Sequence, residues 1–188
     1  MRAGLSAPTD PCLLLIDIQQ GLDETSYGRR STPSFEVNVA RLLADWRVRQ
    51  RPVVHVRHLS LREASPLRSD RPGVAFKAEA EPAGGEPVYE KSASNAFVGT
   101  SLEGDLRARG IDTLVVAGLV TDHCVSSTTR MASDLGFSVI VVADACATHE
   151  RIAHDGRSMT ADEMHDAALA SLNGEFATVL DTDAVLAL

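Results

Sequence analysis

Three side chains of complementary chemistry stand at the ends of short apolar runs: Asp17 after LLLI, Lys91 after VYE and Cys124 just beyond VVAG. A carboxylate can accept and return a proton, an ammonium can hold a neighbouring negative charge, and a thiol can attack a carbonyl carbon. Each has an ordinary reading when taken singly. An Asp at a strand end can cap a turn, a Lys can be solvated, and a Cys can pack as a small hydrophobe. Brought together they form the acid/base, cation and thiol set that nucleophilic catalysis requires.

The segment VVAGLVTDHCVSSTTR carries the strongest local signal. An apolar strand breaks at Gly118, Thr121 is a plausible N-cap, and Cys124 would be the third residue of the helix that follows. A thiol in that position faces unpaired N–H groups and the positive end of the helix dipole, which predicts a pKa below about 8.5, and Lys91 nearby would push the same way. For Asp17, burial in an apolar strand raises the pKa while Lys91 lowers it, and the sequence leaves the balance open.

The elements that must position these residues follow from periodicity. Short runs rich in Val, Ile and Leu at 12–18, 52–58, 86–91, 113–118, 138–143 and 176–181 read as strands. Helical segments lie between them. SFEVNVARLLADWRVRQ has apolar residues at Val37, Leu42, Leu43 and Trp46, and further helices are expected to end at Gly110, Gly136 and Gly174. The alternation predicts one α/β domain over residues 1–188: a doubly wound, mostly parallel six-stranded sheet with helices on both faces. Ligands in such a sheet collect beyond the carboxyl ends of the strands. Two irregular stretches are placed to overhang that face. One is the long connection 59–85, with Pro66, Pro72, Pro82, Gly84 and Gly85; the other is THERIAHDGRSMT at 148–160.

Composition narrows the function. With 188 residues, 44% of them hydrophobic, the chain can bury a full core, and a formal net charge of -8 disfavours nucleic acid and anionic membranes as partners. The apolar run near the N-terminus is too short for a signal sequence or a membrane span. Three cysteines without CxxC spacing support neither a disulfide framework nor a structural zinc site, so a cytoplasmic location is expected. No GxGxxG follows the first strand, where the sequence reads IDIQQGL, so a dinucleotide-binding reading fails.

Three ordered blocks carry a resemblance over nearly the whole chain: LLLIDIQQGL, with Gln19 two residues after Asp17; KSASNAFVGTSLE, with Lys91 and Phe97; and GLVTDHCVSSTTRMASDLGFSVIVVADACAT around Cys124. The chain resembles the isochorismatase-like hydrolases, which include nicotinamidases, N-carbamoylsarcosine amidohydrolase and ureidoacrylate amidohydrolase. The resemblance implies that Asp17, Lys91 and Cys124 are the catalytic residues. It also implies a cis peptide between Leu119 and Val120, and an oxyanion hole made by the backbone N–H groups of Val120 and Cys124. The activity it implies is cleavage of an amide or related C–N bond through a thioester, without a cofactor. Leu22 and Phe97 become candidate substrate contacts, as does Tyr27, although a core role for Leu22 and Phe97 is equally open. His123 could face either the pocket or a neighbouring subunit.

Departures from the family pattern matter as well. The metal-binding Asp-x-His motif of nicotinamidases is missing, and His55 and His58, three apart on a strand, point to opposite faces, so no metal site is expected. Vinyl-ether-cleaving isochorismatases lack the cysteine, which favours amide chemistry here. Ether or ester hydrolysis and a non-catalytic scaffold remain the competing readings. His149, His154 and His165 are read as surface or interface histidines, and Cys12 as inert in a buried strand. Cys146 could either approach the site or simply pack. A small-molecule substrate and a homo-oligomer of two or four subunits are expected from the family.

Overall fold

Five consecutive apolar residues, all buried, form β1 (Cys12–Ile16). A strand without polar alternation must be covered on both faces, as the central strand of a parallel sheet is. The computed structural model, which describes residues 10–188, shows this arrangement. After β1 come α1 (Phe35–Val48), β2 (Val53–His58), β3 (Val88–Lys91), α2 (Leu102–Ala108) and β4 (Thr113–Leu119). Then follow α3 (Ser126–Asp134), β5 (Ser138–Ala147), β6 (Arg151–Ile152), β7 (Ser158–Met159), α4 (Ala161–Leu172), β8 (Thr178–Leu180) and α5 (Thr182–Leu186). Six strands pair in the order β3-β2-β1-β4-β5-β8, every pair parallel.

Side chains alternate across the sheet and so build two cores. Leu13 and Leu15 of β1 meet Phe35, Val39, Leu42, Leu43 and Trp46 of α1, with Val185 of α5, on one face. Cys12, Leu14 and Ile16 meet Leu102 and Leu106 of α2, Ala132 of α3 and Leu172 of α4 on the other. The buried stripe of α1 therefore runs through Phe35 and Val39, whereas Val37 is 63% exposed, contrary to the expectation from sequence. Val37 lies two residues from each neighbour in the stripe, about 200° around the helix, and so points away from the sheet.

Two features were not anticipated. The stretch 148–160 contains the short antiparallel hairpin β6–β7, and α5 closes the chain against α1 and β5. The helix α4 starts at a capping box, in which Thr160 Oγ1 accepts from Glu163 N–H and Thr160 N–H donates to the Glu163 carboxylate. Among the described residues no helix is long and apolar enough to cross a membrane. Residues 1–9 lie outside the described residues.

Candidate active site

Strand order reverses between β1 and β4, whose neighbours run to opposite sides, and a crevice opens beyond their carboxyl ends. Gly118 makes the close approach possible. Its φ is +142°, and a Cβ there would stand 2.1 Å from the carbonyl oxygen of Ile16, its partner across the sheet. Asp17 follows directly on β1 with φ of +51°; its N–H donates to Val56 O at 2.9 Å, and the side chain is 2% exposed.

Lys91 ends β3, two strands away. It pairs in register with His58 at the end of β2, and its long, fully buried side chain reaches back to the centre of the sheet. Nζ lies 2.6 Å from Asp17 Oδ2, 3.4 Å from His58 Nδ1 and 3.5 Å from Cys124 Sγ. Asp17 Oδ1 is buried and receives no hydrogen bond.

Cys124 sits on a π-helical turn, Thr121–Val125, that leads into α3. The carbonyl of Val120 accepts the N–H groups of His123 and Val125, one on either side of the cysteine, and the Leu119–Val120 peptide is cis. Thr121 is the first residue of the turn rather than its cap, and its hydroxyl is hydrogen-bonded to His165 Nδ1 at 2.9 Å.

Electrostatics at the site depart from the sequence expectation. Burial, reinforced by the Asp17 carboxylate, pushes the Cys124 thiol up to about 12, and Lys91 only partly opposes this. The low pKa expected from the helix terminus is therefore corrected: burial and the neighbouring Asp17 carboxylate raise the thiol, and Lys91 does not offset them. Burial also raises the Asp17 carboxyl above its ordinary range, with Lys91 holding it back. His58 is lowered by burial first and then by Lys91, which favours the neutral ring. The resting site thus holds a protonated thiol beside a carboxylate of enhanced basicity.

A cavity of about 1130 Å³ opens onto Asp17, His58 and Cys124. Leu22, Tyr27, Val120 and His123 are on its wall, together with residues 60–62 and 64–67 of the long connection. Phe97 is not: its ring is stacked 6.0 Å from that of Phe137 in the core beneath α2 and α3, which corrects its assignment as a substrate contact. The His123 side chain is 58% exposed and lies 3.4 Å from Asp122. Cys12 and Cys146 are both buried, and burial pushes each thiol up to about 12.

The isochorismatase domain model matches residues 11–184. The chain belongs to the isochorismatase family. It is 34% identical over 174 residues to the isochorismatase family protein YrdC of Bacillus subtilis, covering 93% of each chain. Maleamate amidohydrolase of Pseudomonas putida is 30% identical over 177 residues, covering 82% of this chain and 80% of that protein. The crystal structure of an isochorismatase-family hydrolase from Chromobacterium violaceum superposes with a TM-score of 0.93 at 45% identity, covering 100% of this chain and 97% of that one.

Within this isochorismatase-family site, several contributors escaped sequence reasoning. Gln19, wholly buried, accepts the His58 N–H and donates to the carbonyls of His58 and Val74, tying the end of β2 and the long connection to β1. The signal for it was present, since the family block LLLIDIQQGL contains Gln19. His149 is buried, not on the surface: it bonds to Leu22 O at 3.1 Å and its ring lies 5.2 Å from that of Tyr27. His165 is buried as well, against the cysteine turn, while His154 is exposed. His55 is bound to Glu86 at 2.8 Å whereas His58 turns to Lys91, so the two share no ligand point. Among the described residues no group of three or more His, Cys, Asp or Glu side chains is placed to hold a metal ion.

Proposed function

We propose that this isochorismatase-family chain is a cysteine hydrolase that cleaves an amide or related C–N bond of a small molecule through a thioester. The observation that carries the reading is the position of Lys91 Nζ, 2.6 Å from Asp17 Oδ2 and 3.5 Å from Cys124 Sγ, which joins from beneath the carboxylate and the thiol that line the cavity. The similarity to maleamate amidohydrolase supports C–N chemistry over ether cleavage.

Because the thiol titrates at about 12, it does not act as a resting thiolate. Its proton passes to Asp17 as Sγ forms a bond to the carbonyl carbon. The unpartnered Oδ1 is the free acceptor, while Lys91 keeps Oδ2 engaged. The carbonyl oxygen becomes an oxyanion, and the N–H groups of Val120 and Cys124 are its donors in this reading. Collapse re-forms the C=O and breaks the C–N bond, with Asp17 returning its proton to the departing nitrogen. Asp17 then takes a proton from water as the water oxygen adds to the thioester. Collapse of that adduct expels the thiolate, which recovers its proton and leaves a carboxylic acid. Three free thiols, two of them buried, suit a reducing compartment, and we place the enzyme in the cytoplasm.

The test is ammonia release from a panel of small amides, carbamoyl compounds and ureides by the wild type and by Cys124→Ala. Release that disappears in the variant is expected. Release that persists undiminished in the variant would refute the nucleophile.

A further inference from the structure

A threonine at the head of a helix ordinarily turns its hydroxyl oxygen to the N–H two or three residues further on. Counted from Thr121, those are the N–H groups of His123 and Cys124. The Val120 carbonyl already takes the N–H groups of His123 and Val125 and passes over that of Cys124. The local partner left to the Thr121 hydroxyl is therefore the Cys124 N–H, one of the two oxyanion donors in the hydrolase reading. A hydroxyl seated there would have to be displaced in every turnover.

The Thr121 hydroxyl is engaged elsewhere. Thr121 is wholly buried, so its hydroxyl must find a partner inside the protein, and Oγ1 stands 2.9 Å from Nδ1 of His165. Among the described residues that is the only hydrogen bond Oγ1 makes. His165 comes from α4, 44 residues along the chain, and is itself 8% exposed; neither residue lines the cavity. The helix is a firm base for it. A capping box fixes its start, Leu172 packs into the core, and Ser171 Oγ accepts from Arg130 Nη2 of α3 at 2.6 Å. Burial lowers the His165 pKa, against the opposing pull of Asp166, the Ala143 backbone, Asp162 and Asp122, so the ring is neutral at pH 7. A neutral ring has one proton, and the hydrogen bond to the Ala143 carbonyl, which can only accept, claims it. Nδ1 is then bare and receives the hydroxyl hydrogen of Thr121.

We propose that His165 is a positioning residue for the turn that bears the nucleophile: it holds Thr121 Oγ1 away from the Cys124 N–H and keeps that donor free for the oxyanion. The role rests on the hydrolase reading, whereas the hydrogen bond that performs it does not. Neither His165 nor Thr121 touches the reacting atoms.

Four proteins test the proposal: wild type, His165→Leu, His165→Leu/Thr121→Val and His165→Asn. Leu removes the acceptor, Val also removes the hydroxyl that would recapture the Cys124 N–H, and Asn keeps an acceptor close to the place of Nδ1. Hydrogen exchange of the Cys124 amide, followed by NMR, is expected to slow in His165→Leu and to return to the wild-type rate in the other two variants. Acyl transfer is followed with p-nitrophenyl acetate as the probe: Sγ bonds to the carbonyl carbon, p-nitrophenolate leaves, and water opens the acetyl thioester. Release above the Cys124→Ala background is expected to fall about tenfold in His165→Leu, the weight of one net hydrogen bond, and to recover in the double variant and in His165→Asn. A merely structural loss would deepen when a second buried side chain is changed. Alkylation of Cys124 by iodoacetamide at pH 9 develops no oxyanion and is expected to stay within about twofold across all four proteins. Unchanged amide exchange in His165→Leu, no fall in its p-nitrophenolate release, or a double variant as slow as the single one overturns the proposal. A wild type that releases no more than Cys124→Ala would instead refute acyl transfer by Cys124 and leave amide exchange to decide the positioning, so the two failures are distinguishable.

Discussion

Replacing Lys91 with Met removes the cation that answers Asp17 where the two side chains are 0% and 2% exposed. Breaking a buried pair costs about 3 to 5 kcal/mol when the surviving partner stays charged. Asp17 can escape that cost by binding a proton. From an unfolded-chain value near 4, holding a proton at pH 7 costs about 1.4 kcal/mol for each of roughly three pH units, about 4 kcal/mol in all, and at pH 5 only about 1.4 kcal/mol. Protonation therefore caps the penalty, and the cap falls with pH. The sign follows from linkage. Burial already raises the Asp17 pKa in the native protein, and losing Lys91 raises it further, so the folded variant keeps a proton that the unfolded chain has released. Such a group destabilises the fold above its unfolded value and increasingly so as pH rises, until the folded pKa is passed. Urea unfolding at pH 5, 6, 7 and 8 should show Lys91→Met less stable than wild type by up to about 4 kcal/mol at pH 7, with the gap narrowing towards pH 5. A gap of the same size at pH 5 and pH 7 would refute the argument that an orphaned buried carboxylate sets the cost.

Further outcomes follow from the same geometry. With its thiol at about 12, Cys124 should resist iodoacetamide at pH 7 in the wild type; Asp17→Asn removes the carboxylate that pushes the thiol up and leaves Lys91, so alkylation followed by mass spectrometry should be faster in the variant even as turnover is lost. Slower or unchanged alkylation would contradict the assigned charge environment. Gly118→Ala places a methyl group 2.1 Å from Ile16 O at a φ of +142° and should cost about 3 kcal/mol or more in chemical denaturation, a near-neutral result being inconsistent with the close approach of β1 and β4.

The sheet was legible because its signal is local and redundant. The strands β1, β4 and β5 are built on runs of apolar, mostly branched residues, β2 and the edge strand β3 are more polar, and the order of runs and helical segments points to one topology. The convergence of Asp17, Lys91 and Cys124 at one edge follows from that topology, since parallel strands end on the same side. What stayed hidden depends on three-dimensional surroundings. The thiol pKa was misjudged because a helix terminus can be read from sequence, whereas the enclosure of Sγ beside a buried carboxylate cannot. Val37 was misassigned because one apolar residue outside the stripe looks like a member of it until the helix is oriented. Phe97 was a candidate wall residue by family resemblance, with a core role equally open, and it is the core role that its stacking on Phe137 supports. The buried roles of His149 and His165 rest on partners 127 and 44 residues away, Leu22 and Thr121, which no local pattern reveals.

The long connection is moored to the floor of the site through atoms common to every amino acid. Gln19 and Gln20 grip the carbonyls of Val74 and Phe76, Gln20 N–H donates to Ala75 O, and Lys77 N–H donates to Ile18 O. The wall residues at 61, 62 and 64–66 lie between these moorings and the end of β2, so their side chains can be exchanged without cutting the tether. The shape of the cavity wall and the placing of Asp17, Lys91 and Cys124 are thereby uncoupled in inheritance: a lineage, or a library randomised at 61–66, can reshape the wall while the side chains beneath keep their places.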